Sequence, residues 1–134
     1  MDIFANFFHV FDAGVGHVFT PASLVYIALG TLVGLAFGAL PGLSSTMALA
    51  IFTPLTFGLL PSEAIVFLIA VFISSVYAGD LTSILVNIPG TPSSIATGFD
   101  GYPMTKKGEA GRAIGVSTVA SVLGGAIGLV FLIG

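Results

Sequence analysis

The chain has no cysteine and almost no charge: three Lys or Arg and six Asp or Glu, 7% of 134 residues. Zero cysteine excludes disulfides, thiol catalysis and Cys-ligated metals, and says nothing about compartment. Soluble domains carry about a quarter charged residues, so a soluble core does not account for this composition. A net charge of −3, with no basic cluster beyond Lys106, Lys107 and Arg112, gives nucleic acid no surface to bind. Enzyme signatures are missing as well. There is no GxxxxGK[ST] phosphate loop, no GxSxG elbow and no HExxH pair. Ser44 or Ser93 as a nucleophile would need a histidine base, and both histidines, His9 and His17, lie in the N-terminal segment. Their wide spacing also argues against a metal pair. We therefore expect no enzyme and no resident cofactor.

What the chain has instead is length without charge. No charged side chain occurs from Ala13 to Ser62, from Ala64 to Gly79, or from Ala113 to Gly134. A membrane crossing needs about 20 mostly apolar residues, so the fold class expected is an all-α integral membrane protein. Residues 1–21 read as an N-terminal interfacial segment and residues 22–134 as the transmembrane domain. Acids stand where a signal peptide needs a basic region. The spacing of Phe4, Phe7, Phe8 and Phe11 suits a helix lying in the interface, one face in lipid.

Four apolar segments follow: Ala22 to about Leu40 behind a Thr20-Pro21 cap, Ser45 to Leu60 containing Pro54, Ser62 to Ile88, and about Gly111 onward. Glu63 falls in the first turn of the third, and Tyr26, Tyr77 and Tyr102 are candidate interface anchors. The last segment is still apolar at Gly134, which reads as the N-terminal piece of a longer protein. Lys106, Lys107 and Arg112 place the connection before it on the cytoplasmic side. Gly30, Gly34, Gly38 and Gly42 recur every fourth residue and are expected to share one helical face for close packing. Gly111/Gly115 and Gly124/Gly128 repeat the spacing.

Two stretches break the pattern. "LPGLSST" (residues 40–46) and "IPGTPSS" (residues 88–94) each set Pro-Gly at the end of an apolar run and follow it with hydroxylated residues. The second opens a longer interruption, "NIPGTPSSIATGFDGYP", whose backbone is expected not to be helical. Pro41, Gly42, Pro89 and Gly90 are the structural breaks, since Pro removes a donor and Gly permits unusual dihedrals. Opened backbone at membrane depth is tolerated where it is buried in protein or lines a watery cavity. A restarted helix offers free N–H groups and its positive dipole end to an anion. Ser44, Ser45, Thr46, Thr91, Ser93 and Ser94 are therefore candidates for binding a carboxylate substrate. Carbonyls freed on the other side of a break, with the Asn87 oxygen, suit Na⁺. Asp80, a lone acid inside the third segment, is read either as an ion or proton site or as a side chain facing a water pocket.

At these residues the chain resembles a known family. "GLAFGALPGLSSTMALAIFTPLTFGLLPSEAIVFL" and "YAGDLTSILVNIPGTPSSIATGFDGYPMTKKGEAGRAIG" are similar to the large membrane subunit, TctA, of tripartite tricarboxylate transporters, over about Gly34 to Gly125. The resemblance implies a multi-pass subunit of the bacterial inner membrane, importing carboxylates with Na⁺ or H⁺ as coupling ion. It implies a small membrane subunit (TctB-like) and a periplasmic solute-binding protein (TctC-like) as partners. It also implies about one repeat of an inverted-repeat carrier, with discontinuous or re-entrant helices. The family's Pro-Gly-Leu falls on Pro41, Gly42 and Leu43, its Asn-x-Pro-Gly on Asn87, Pro89 and Gly90, and its Asp-Gly-Tyr-Pro on Asp100 to Pro103. The last of these is expected to shape the exit turn. Asp80 departs from the pattern, which commonly has a small hydroxyl residue after the glycine. The rival readings are a non-transporting scaffold subunit, an inactive fragment, and a channel, for which no filter motif is present.

Overall fold

A computed structural model describes residues 3–133; within it, the side chains of Ile3, Phe4 and Ile133 fall outside the description, as do Met1, Asp2 and Gly134. The Phe4 contribution to the interfacial face therefore lies outside the described residues. Six α-helices follow one another: α1 (Ile3–Val18), α2 (Pro21–Ala39), α3 (Ser45–Leu55), α4 (Pro61–Val86), α5 (Ser94–Lys106) and α6 (Ala110–Ile133). A single 3₁₀ turn, Thr56–Gly58, closes α3, and no strand occurs among the described residues. Helices α2, α4 and α6 are long and apolar enough to cross a membrane, whereas α3 with its 3₁₀ turn is too short.

Local chemistry explains the boundaries. Thr20 caps α2, its hydroxyl accepting from the Ser23 amide, with Pro21 in the first helical position. Pro54 ends α3 within one residue. Glu63 occupies the first turn of α4. Helix α5 ends in a Schellman motif: Gly108, at φ 82°, donates to the Thr105 carbonyl, and Glu109 donates to that of Met104 at 2.9 Å.

The core is the seam between α2 and α4. Methyl groups built on Gly30, Gly34 and Gly38 would run into Phe67 and Ala70, Val71 and Ser74, and Ser75 respectively. Both sets of numbers rise together, so α2 and α4 run parallel with their backbones in contact. The Ser74 hydroxyl reaches across to the Gly30 carbonyl at 3.4 Å. Small residues allow this approach where lipid offers no hydrophobic drive for helices to associate. Gly42 does not share the face: α2 stops at Ala39, and Gly42 turns away at φ 93° with no neighbour. Chain continuity then makes α3 the return limb between two parallel spans. Phe52 of α3 fixes it edge-on against Phe37 of α2 and Phe67 of α4, with ring centroids 5.7 and 5.9 Å apart.

Helix α6 runs antiparallel to α4. Its early residues border Ile84 and Met104, Thr118 meets Tyr77, and Gly125 borders Phe72. Tyr77 is thus not an interface anchor: its hydroxyl lies 3.3 Å from that of Thr118, between two spans. Beyond Ala113, which is buried, no described residue of α6 is buried, and its glycines 111, 115, 124 and 128 face open space.

The interruption is shorter than its sequence suggests. Only residues 87–93 are irregular; Thr97, Asp100, Gly101, Tyr102 and Pro103 all lie within α5. The Asp-Gly-Tyr-Pro block therefore does not shape the exit turn, which Gly108 makes instead. Pro103 sits only three residues before the end of α5, and its missing amide removes a single internal bond there. The need for glycine in this block comes from packing. A methyl on Gly101 would meet Ile84, and one on Gly98 would meet the Ser83 hydroxyl.

Candidate functional site

The two breaks come together in space. Helix α4 ends with Asn87 in the left-handed region (φ 58°, ψ 29°), its amide donating to the Ser83 carbonyl. Asparagine is among the few side chains that tolerate this conformation. From there the chain turns back. Gly90 is buried against the Gly38 carbonyl in the last turn of α2, and also against the Cα of Gly79 in α4. Thr91 packs over Gly79, and α5 then climbs alongside α4, with Ser83 bonded to Ser94 and Ile84 to Thr105. The second break is thus a re-entrant dip whose tip sits where the first break begins. At about 1.5 Å per residue, the 19-residue α2 covers about 28 Å before its break. In a hydrocarbon core about 30 Å thick, both breaks stand toward the end that carries Lys106, Lys107 and Arg112.

The candidate substrate residues divide sharply in environment. Ser44 is the N-cap of α3, its oxygen accepting from the Met47 amide at 3.2 Å. Ser45 is buried, Thr46 is exposed, and the amides of both have no hydrogen-bond acceptor among the described residues. Ser94 is fully buried, and its hydroxyl both donates to the Thr91 carbonyl (2.7 Å) and accepts from the Thr91 amide. Ser83, also buried, donates to the Ser94 carbonyl at 2.6 Å. Ser94 therefore builds the turn, and the Thr91 hydroxyl is held against that of Ser93 at 3.1 Å. The amides of Ser94 and Ile95 already donate to the Thr91 and Pro92 carbonyls, so part of the donor set expected at this helix start is taken. Ser93 is exposed and faces a cavity. Pro41, Gly42 and Pro89 are exposed turn residues.

The proposed cation residues are not brought together: Asn87 caps α4 two turns beyond Asp80, beside Gly98. Asp80 instead accepts from the Thr97 hydroxyl at 3.3 Å, at the meeting point of α4, α5 and α6. It borders two adjoining cavities, of about 420 and 570 Å³. The first also carries Asp100, Thr97, Ser117 and Ser121; the second carries Tyr77, Ser93, Thr118 and Ser121. No Lys, Arg or His lines either one. No group of three or more His, Asp or Glu suited to a metal occurs among the described residues.

Sequence reasoning missed Ser83, Thr97, Ser117, Thr118 and Ser121. A usable signal existed, since Ser117, Thr118 and Ser121 are the only polar side chains after Arg112 in the last apolar run. Ser83→Ala would remove the hydroxyl's bond to the Ser94 carbonyl, which keeps its place at the start of the α5 ladder, and should cost about 0.5–1.5 kcal/mol. The midpoint of thermal unfolding should fall accordingly; an unchanged midpoint would show that water or another donor replaces the hydroxyl.

Comparison with known proteins bears on the family of the chain. An uncharacterised 52.8 kDa protein from the TAR-I ttuC' 3' region of Agrobacterium vitis is 33% identical over 132 residues. The match covers 98% of this chain and 26% of that relative, so the chain spans about a quarter of its length. No solved structure matches. The family model for the tripartite tricarboxylate transporter TctA family matches residues 24–134, which takes in both breaks, most of α2 and the whole of the other two membrane-length helices. With this span and these features, the chain belongs to the tripartite tricarboxylate transporter TctA family.

Proposed function

We propose that the chain forms part of the large membrane subunit of a cation-coupled, binding-protein-dependent secondary importer of carboxylates. The observation that carries this reading is the seating of one Pro-Gly break on the other, Gly90 against the Gly38 carbonyl, beside a cavity bearing Asp80 and Ser93. Broken helices at a shared site suit a carrier, since helix starts and hydroxyls address the carboxylate while free carbonyls and acids address the cation. Solvent-facing turns in a static scaffold have no need to interlock.

The chain would supply about one repeat of an inverted-repeat carrier, and the 26% coverage of its relative leaves room for the remainder. Its partners would be a small TctB-like membrane subunit and a periplasmic TctC-like solute-binding protein, in a bacterial inner membrane. The basic turn at residues 106–112 would face the cytoplasm, and the starts of α2 and α4, at the other end, would face the periplasm.

The test is uptake of labelled di- and tricarboxylates by the chain with its partner subunits, in cells lacking other carriers, with and without Na⁺. Ser44→Ala, Asn87→Ala and Ser93→Ala should each lower uptake at least tenfold at normal membrane levels. Full uptake in all three would make the breaks structural and overturn the assignment of the binding site to them.

A further inference from the structure

Helix α6 carries three hydroxyls in 24 residues, and all three line the cavities that Asp80 borders. On a helix that beyond Arg112 is otherwise apolar, this segregation needs a reason. Ser117 and Ser121 lie one turn apart on the same face, and Ser121 borders both cavities, as Asp80 does. Thr97 reaches the same carboxylate from α5. Among the described residues, α4, α5 and α6 thus line two adjoining cavities with oxygen-bearing side chains and no basic group, and one carboxylate borders both.

From this we infer a binding site for a monovalent metal cation of the Na⁺ type at the α4–α5–α6 junction. Asp80 supplies the charge, and Thr97, Ser117 and Ser121 supply neutral oxygens. The inference rests on the carrier reading for its purpose but not for its chemistry. A carboxylate placed among apolar side chains needs a compensating charge, and the described residues lining the cavities offer none. A proton alone would neutralise Asp80 without calling for hydroxyls from two further helices. Hard cations take several oxygen ligands, and one acid with neutral hydroxyls matches a single positive charge better than a divalent ion. Asp100 of α5, on the first cavity's wall, is the only other titratable group there, and α6 contributes none. Asn87, which caps α4 away from this junction, is left out of the site.

The test uses purified protein in lipid nanodiscs, free of substrate, so it does not depend on transport. The chain lacks cysteine and tryptophan, so unfolding is followed by light scattering. NaCl titrated against choline chloride at constant ionic strength should raise the unfolding midpoint in wild type by several degrees. KCl should do so less. Asp80→Asn and Ser121→Ala should abolish or shift the Na⁺ midpoint at least tenfold, and Ser62→Ala, at the exposed start of α4, should leave it unchanged. Equal Na⁺ response in wild type and both variants would overturn the site. Stabilisation by lowered pH with no Na⁺ response would overturn the metal assignment in favour of a proton. Cation binding retained in a protein that imports no carboxylate would sink the carrier reading and leave this inference standing.

Discussion

Gly38→Ala should strip most of the folded protein from the membrane. A methyl at this position would overlap the carbonyl of Ser75 and stand 2.7 Å from its Cα and carbonyl carbon. The obstacle is backbone, so no side-chain rotation relieves it, and α2 would have to move off α4 along its last two turns. Overpacking a close-fitted site costs about 1–3 kcal/mol when neighbours can give, and more when they cannot. Each 1.4 kcal/mol is about a tenfold change in equilibrium, so a loss at the upper end leaves little reserve in a marginally stable fold. The control is Gly124→Ala on α6, where nothing lies within 4 Å. Yield of monodisperse protein and unfolding midpoint should both fall sharply in the first variant and hold in the second. Equal behaviour would mean that the α2–α4 contact is not the core of the fold.

The contrast between those two glycines marks how far the sequence can be read. The fourfold spacing from Gly30 to Gly38 announced a close helix contact, and α4 fills it. The same spacing on α6 announces a contact that no described residue makes. Spacing reports that a surface is narrow, not what meets it. The membrane class and the α2 cap were legible because uncharged length and Thr-Pro chemistry are local properties. The extent of the second break was not legible. Prolines 89, 92 and 103 look alike in sequence, yet the first two lie outside helix and the third within α5. What separates them is tertiary: Gly98 and Gly101 let α5 lie on Ser83 and Ile84, and that packing sustains a helix with weak intrinsic preference. Likewise Ser94 reads as a free hydroxyl until the fold shows both its bonding roles taken by Thr91. The Asp80–Thr97 contact crosses 17 residues between two helices, a pairing that no local pattern encodes.

Gly90→Ala probes the junction of the two breaks directly. Gly90 has no special dihedral requirement; its neighbours exclude a side chain, for a methyl would overlap the Gly38 carbonyl and sit 2.9 Å from the Cα of Gly79. Unlike Gly38, it lies at the tip of a loop, so the strain has an outlet: the tip can withdraw while α2 and α4 stay in register. A displacement of about 1 Å in a positioned site costs about a hundredfold in turnover. Carboxylate uptake should accordingly fall at least tenfold, while membrane level and unfolding midpoint drop far less than in Gly38→Ala. Gly42→Ala is the matched control, strained by its φ of 93° but free of neighbours. It should cost about 1–2 kcal/mol of local backbone energy and leave the Gly90 seat intact. The absence of cysteine makes the withdrawal visible. An Ile88→Cys reporter beside the tip should react faster with a membrane-impermeant maleimide once Gly90 carries a methyl. If labelling accelerates and uptake holds, the seat of one break on the other is a packing detail, and the site lies elsewhere. If both change together, the two breaks work as one unit, and the proposed carrier depends on the contact between Gly90 and Gly38.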